Sequence, residues 1–214
     1  MARYLGAKYK ICRRIGENLW GRPKDPSIKR PYPAGEHGGR SRRKVSNYGK
    51  HLVEKQKLRM YYGLLEKQFR RTFKNAARLK GVTGDNLLQL LECRLDALVY
   101  RLGFAPTIWA ARQWVNHGHV SVNGKKVDIA SYCCRPGDEI GIRNRNHSSD
   151  KKKKMQENPV LLETMQSTGV SSLPPYLTRN DEAFTGQLTQ RPQASEVPIP
   201  IIIDRNLIVE HYSR

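Results

Sequence analysis

The sequence predicts an α+β protein, mostly helical, whose middle is a small module of two helices followed by a short-stranded sheet. Three observations carry this. Residues 48–80 hold an apolar stripe at helical spacing. Residues 86–115 hold two more such stripes, separated by Gly103. Residues 120–142 change to strand-like alternation around Asn123-Gly124, the strongest short hairpin signal a sequence offers.

Residues 1–46 mix Arg, Lys, Gly and Pro with little apolar periodicity. Such a segment offers no core of its own and is expected to order against RNA. From Tyr48 to Lys80 the stripe is Leu58, Tyr62, Leu65, Phe69, Phe73 and Ala76, in steps of three and four. Lys50, Lys57, Lys67, Arg70, Arg71, Lys74 and Arg78 occupy the other faces, against only Glu54 and Glu66. A merely solvated face carries both signs, so this imbalance points to a negative partner.

Gly81–Gly84 interrupts the pattern. Leu87, Leu88, Leu91, Leu95, Leu98, Val99 and Leu102 then read as one helix, with Asp85 as N-cap and Gly103 as stop. Thr107 caps a second helix with Ile108, Ala111, Trp114 and Val115 inside, ended by Gly118. Val120 and Val122, then Val127 and Ile129, alternate as strands; Arg135–Asp138 turns the chain; Ile140 and Ile142 form a last short strand. Beyond it, Ser148–Lys154 reads as a cationic connection and Val160–Met165 as a helical run. Ala183-Phe184 and Ile201–Ile203 read as strand-like pieces among Pro-rich loops.

The charge is uneven. The 214 residues carry a formal +20, with a pI near 10.1. Residues 1–80 hold 23 Lys and Arg against 5 Asp and Glu, residues 81–143 hold 7 against 6, and residues 144–214 hold 9 against 8. This is extreme for a metabolic enzyme and implies a polyanionic partner met mainly by the first eighty residues. Of the four cysteines, Cys12, Cys93, Cys133 and Cys134, no spacing suggests a disulfide framework, and vicinal Cys133-Cys134 does not easily bridge. Reduced thiols in a cytosolic compartment are the simplest reading. No stretch has membrane-spanning length or signal-peptide character, so the protein is expected to work where it is made, with no membrane partner.

The runs RLDALVYRLGF, Ala111-Arg112-Gln113, His117 and VNGKKVDIASY resemble an RNA-binding module shared by small-subunit ribosomal protein number four, some pseudouridine synthases and tyrosyl-tRNA synthetases. MARYLGAKYKICRR, the block from Pro33 to Arg71 and the final LIVEHYSR extend the resemblance to that ribosomal family, in its bacterial or organelle-encoded form, over nearly the whole chain. The resemblance implies a helical domain in two sequence pieces with the module inserted between them. The expected division is 1–46 as an RNA-ordered extension, 47–84 as the first helical piece, 85–143 as the module, and 144–214 as the return with a strand-like tail. It further implies a primary binder of a junction in the 5′ domain of 16S-type ribosomal RNA, acting early in assembly. Neighbouring small-subunit proteins, a place near the path of incoming messenger RNA and a part in decoding accuracy follow from the same resemblance, with the ribosome of the cytoplasm or of an organelle as location. The residues expected to meet RNA are Arg3, Lys8, Arg13 and Arg14; Arg42, Arg43, Lys44, Lys55, Lys57, Arg70, Arg71, Lys74 and Arg78; and Arg112, Gln113, His117, Asn123 and Lys125.

Arg94-Leu95-Asp96 matches the nucleophile motif of pseudouridine synthases, but there it lies in a separate, larger domain for which this chain has no room. Asp96 is therefore expected to be a helix-surface carboxylate paired with Arg94 or Arg101. The enzyme alternative, an RNA-modifying protein, and a third, a free RNA-binding regulator, are separable from a ribosomal protein by co-sedimentation with the small subunit after a high-salt wash. His117 and His119 bracket Gly118 at a helix end, where an imidazole meets backbone carbonyls or phosphate. Some relatives hold zinc through four cysteines near the amino terminus; Cys12 alone makes no tetrahedral site, so neither metal nor cofactor is expected. Trp109 departs from the family, and core packing, base stacking and protein contact all remain open for it.

Overall fold

The computed structural model describes residues 4–39, 46–143, 157–167 and 173–213. The chain forms two compact units, Met1–Leu87 with Pro198–Arg214, and Leu88–Val197. The first unit is helical: α1 (Lys8–Ile15), α2 (Pro26–Lys29), α3 (Asn47–Tyr61), α4 (Glu66–Ala77), the start of α5 (Thr83–Glu92), and the C-terminal α9 (Arg205–Ser213). Ser46 caps α3 through its hydroxyl, which accepts from Gly49 N–H at 3.2 Å.

The stripe Leu58, Tyr62, Phe69, Phe73 and Ala76 is buried as its spacing predicts, with Leu65 half-buried. It is carried by two helices rather than one. Gly63, at φ 61°, ends α3: its N–H donates to Met60 O at 3.0 Å and Leu64 N–H to Arg59 O at 3.0 Å. Those paired bonds need a left-handed residue that glycine takes without a Cβ clash. The turn lets α4 fold back so that both helices present apolar residues to one core. The C-terminal tail, expected to be strand-like, is helical over Arg205–Ser213. α9 packs on α3, and Tyr212 stacks on Phe73 with ring centroids 4.5 Å apart.

The amino-terminal segment, expected as loop stabilised by RNA and neighbouring chain, carries the short helices α1 and α2. Cys12 and Leu19 are fully buried with Met60 in a small cluster that Ile11, Ile15, Trp20 and Ile201 flank. A segment without apolar periodicity thus gains a core by leaning on α3 and the chain before α9.

The second unit holds the remainder of α5, α6 (Leu95–Arg101), α7 (Ile108–Asn116), α8 (Pro159–Ser167), and strands β1 (Val120–Val122), β2 (Lys125–Lys126), β3 (Glu139–Ile142), β4 (Leu177–Asn180) and β5 (Thr185–Leu188). The strands make one antiparallel sheet in the order β2-β1-β3-β5-β4. Val120 faces Ile142, Val122 faces Ile140, and Leu177 faces Leu188. Leu95, Leu98, Leu102, Ala111, Val115, Leu161 and Tyr176 pack with them into one core.

Several boundaries move. The helix read from Asn86 to Leu102 breaks at Cys93-Arg94, where the chain opens to pair with residues 130–134: Leu95 N–H donates to Tyr132 O at 2.8 Å and Asp96 N–H to Ala130 O at 3.3 Å. These bonds satisfy the first amides of α6, which a helix leaves unpaired. Asp85 is not a cap but lies in the first turn of α5, paired with Arg205. Thr107 caps α7 as read, accepting from Ala110 N–H at 3.0 Å. Val127 and Ile129 lie beyond the end of β2, with Ile129 exposed. Ala183-Phe184 sits in the turn between β4 and β5, and Ile201–Ile203 forms no strand. The largest shift concerns the expected return at residue 144: residues 157–197 add α8, β4 and β5 to the module, and the chain rejoins the helical unit only at Pro198.

Candidate nucleic-acid interface

On the helical unit, α4 is divided lengthwise by charge. Phe69, Phe73 and Ala76 face inward, while Lys67, Arg70, Arg71, Lys74 and, just past its end, Arg78 are exposed. Spacings of three and four place these cations on one stripe. The helix has one acid, Glu66. Partial burial would raise its pKa, but Lys55 at 3.0 Å, the Tyr212 hydroxyl at 2.8 Å and Arg59 at 3.6 Å outweigh this and hold it below its ordinary value. The cationic stripe therefore has no carboxylate of its own helix to neutralise it.

The same unit carries a second basic surface. A groove of about 410 Å³ is lined by the cations Arg13, Lys24, Lys29 and Arg30, with Pro23, Pro26, Ile28 and the buried Asp25. Arg13 is partly engaged, with Nε donating to Tyr32 O at 3.2 Å, Nη2 to Pro33 O at 3.3 Å, and its guanidinium 5.1 Å from the Tyr32 ring centre. Lys8 and Arg14 are exposed on α1.

On the second unit, Gln113 and His117 are exposed at the end of α7, beside the β1–β2 hairpin that carries Lys125 and Lys126. Gly118, at φ 75°, makes this approach close: a Cβ there would meet Lys126 Cε at 2.5 Å. His119 follows with its ring centre 6.1 Å from that of His117. Backbone turn chemistry has thus placed a lysine and two imidazoles together.

Two family models match the chain between residues 3 and 140. Residues 3–92 match the ribosomal protein S4/S9 N-terminal domain, and residues 93–140 match the S4 domain. Small ribosomal subunit protein uS4 of Brevibacillus brevis is 51% identical, that of Caulobacter sp. strain K31 is 49% identical and that of Maricaulis maris is 48% identical. Each match spans all of this chain and all of the relative. The chain belongs to the uS4 family of small ribosomal subunit proteins.

The S4 domain is an RNA-binding domain, and uS4 proteins are structural components of the ribosome rather than enzymes. The geometry of the Arg94-Leu95-Asp96 motif agrees. Asp96 is not on the helix surface but 1% exposed. Its Oδ1 accepts from Arg94 Nε at 3.0 Å and Ala97 N–H at 3.1 Å, and its Oδ2 accepts from Arg94 Nη2 at 2.8 Å and Arg112 Nη2 at 2.7 Å. A carboxylate so enclosed is a structural anchor. Glu92 does the same with Arg101, at 2.6 Å, and with the Tyr176 hydroxyl, at 3.2 Å.

Several residues expected to meet RNA are engaged within the fold of this uS4 chain. Arg112 is buried on Asp96, and Trp109 lies against it with the guanidinium 5.9 Å from the ring centre. Lys55 is buried on Glu66, and Lys57 on Glu17 at 2.7 Å and Glu54 at 2.8 Å. Burial alone would depress the Lys57 ammonium, but the two carboxylates overcome that and hold its pKa raised. Asn123 is exposed, yet its amide is committed: Nδ2 donates to Asp138 Oδ1 at 2.8 Å and Oδ1 accepts from Glu139 N–H at 2.9 Å. Lys8, Arg14, Arg70, Arg71, Lys74, Arg78, Gln113, His117 and Lys125 are exposed, Arg13 is half-buried, and Arg3, Arg42, Arg43 and Lys44 lie outside the described residues.

Lys126, Lys24, Lys29 and Arg30 were not singled out from sequence. Lys126 adjoins the hairpin signal, and the other three flank or end the short helix α2, where the only sequence cue is charge. Among the described residues no group of three or more His, Cys, Asp or Glu could hold a metal ion, and no helix is long and apolar enough to cross a membrane.

Proposed function

We propose that this chain is a structural constituent of the small ribosomal subunit that binds the 5′-domain junction of 16S-type ribosomal RNA, acts early in assembly and contributes to translational accuracy. The observation that carries the RNA-binding part is the exposed stripe Lys67, Arg70, Arg71, Lys74 and Arg78, five like charges at helical neighbour spacing on a helix whose one acid, Glu66, is engaged by Lys55, Arg59 and Tyr212. Like charges so placed repel one another and are retained at a cost unless phosphates neutralise them. The Gln113, His117, Lys125 and Lys126 surface adds hydrogen-bond donors and cations suited to phosphates and 2′-hydroxyls, the groups that A-form RNA presents. Arg3, Arg42, Arg43 and Lys44 join these surfaces as further phosphate contacts, as do Lys8, Arg13 and Arg14. Neighbouring small-subunit proteins are the protein partners, and the path of incoming messenger RNA lies near. The two-piece architecture, with the amino-terminal extension tightening on RNA, belongs to the same reading.

The test is binding to naked small-subunit RNA across a salt series, with footprinting. Protection confined to one 5′-domain junction, and an affinity falling by about 10³–10⁵ between roughly 50 and 200 mM salt, are expected for about 6–10 neutralised phosphates on the duplex DNA scale. A flat salt profile or diffuse protection refutes the reading.

A further inference from the structure

The groove beside α2 holds more than charge. Arg13 is fixed at its edge by the bonds to Tyr32 O and Pro33 O, and Lys24, Lys29 and Arg30 stand exposed around it. Its wall is apolar: Ile28 is 60% exposed there, beside Pro26. A sugar-phosphate strand held by cations gains nothing from such a wall, whereas the flat face of an unstacked base gains by covering it. The floor is Asp25, 2% exposed and the one acid among the lining residues. Its Oδ1 accepts from Ser27 N–H at 2.8 Å and so starts α2. Its Oδ2 accepts from no nitrogen or oxygen donor, and the Cys12 thiol beside the carboxylate is a weak one. A carboxylate oxygen enclosed without a strong donor is costly until a ligand brings one. At about 410 Å³ the groove has the size of a small-ligand site, not of a duplex.

We propose that this groove holds one unstacked nucleotide of the bound RNA, selected for a base that carries an exocyclic amine. The inference rests on the RNA-binding reading above and adds to it a contact that reads a base. The phosphates flanking the nucleotide lie against Arg13, Lys24, Lys29 and Arg30, the ring covers Ile28 and Pro26, and the amine donates to Asp25 Oδ2. Such an oxygen tells cytidine from uridine. At the same ring position cytosine offers an amine and uracil a carbonyl, and a carbonyl brought to a carboxylate sets two acceptors face to face. The amines of adenine and guanine are donors of the same kind. The α4 stripe carries no such information, because phosphate contacts position a protein on its nucleic acid and base contacts specify the sequence.

The experiment titrates the full-length protein, labelled with nitrogen-15, with CMP, UMP and ribose 5-phosphate in turn at low salt. CMP should shift the amides of Arg13, Lys24, Asp25, Ile28, Lys29 and Arg30 and bind about tenfold tighter than UMP, the discrimination that a hydrogen bond to a charged group gives. Ribose 5-phosphate should bind no better than UMP. Asp25→Asn keeps an oxygen for Ser27 N–H, since asparagine caps a helix as well as aspartate, but it sets an amide donor in place of Oδ2. The preference should then pass from CMP to UMP. Ile28→Ser should weaken both nucleotides alike. The wild-type titration decides the matter should a variant not fold. The proposal is overturned if CMP, UMP and ribose 5-phosphate bind alike, if the CMP shifts fall outside the groove, or if folded Asp25→Asn keeps the wild-type preference. A salt series on naked small-subunit RNA separates it from the wider reading: a steep profile without a CMP preference removes the base contact alone, and a flat profile removes both.

Discussion

Asp96 accepts hydrogen bonds from two guanidinium groups while 1% exposed, so its charge is what allows Arg94 and Arg112 to be buried. Asp96→Asn takes this carboxylate charge from two buried cations and should cost about 3–5 kcal/mol of stability. Urea unfolding would measure it; a loss below about 1 kcal/mol would mean that the network is not cohesive. Glu66 makes a pH prediction. Its folded pKa lies below the ordinary 4.5, so the stability it contributes is fully present above that value and is lost as pH falls through the folded value. Urea titrations at about pH 6 and about pH 3 should therefore show a smaller acid loss in Glu66→Gln than in the wild type. Equal losses would show that Lys55, Arg59 and Tyr212 do not hold the carboxylate. The sequence displayed Arg94 beside Asp96, but Arg112 lies sixteen positions away and is brought there only by the packing of α6 against α7. The pairing of Lys55 and Lys57 was hidden for the same reason: charge is visible in a sequence, and the carboxylate that meets it is not.

Periodicity reports a shared core rather than an unbroken helix, and α3 and α4 show why. The stripe continues through Leu58, Tyr62, Leu65 and Phe69 although the helix does not, because both helices turn their apolar residues to one interior. The break was signalled by Gly63 alone. Strands β4 and β5 were missed because LTRN and TGQL alternate burial with little apolar contrast in the letters themselves. The cationic face of α4 was legible because Phe69 and Phe73 fix which side is buried and the charges take what remains. Neutralising Arg70, Arg71 and Lys74 together to Gln should leave the fold intact, since all three are exposed and each like-charge neighbour removed relieves about 0.2–0.5 kcal/mol. Affinity for naked small-subunit RNA should drop, and the log–log salt slope should shrink by about 2–3, near 0.9 per phosphate on the duplex scale. A lower affinity with an unchanged slope would mean that the stripe does not meet phosphates.

The whole molecule divides elsewhere than the module's sequence boundaries suggest, and fragments can decide between the two. A piece ending at residue 143 contains the RNA-binding module as read from sequence, with α6, α7 and β1–β3. It lacks α8, β4 and β5, which place Leu161, Met165, Tyr176, Leu177 and Leu188 in the same core. It also loses the pairing of Ile140 with Gly186, leaving β3 as a bare edge. The Tyr176 hydroxyl is removed from Glu92, and the Arg179 guanidinium, which donates to Leu102 O at 2.7 Å, is removed from the end of α6. Each large apolar side chain taken from the core is worth about 1.5–3 kcal/mol, and five of them together are comparable to the whole stability of an ordinary small domain. Fragment 85–197 should therefore melt cooperatively with dispersed amide resonances, whereas fragment 85–143 should be unfolded or aggregate through its exposed strand. A cooperative melt of 85–143 would place the boundary where the sequence suggests and make α8, β4 and β5 an addition rather than part of the core.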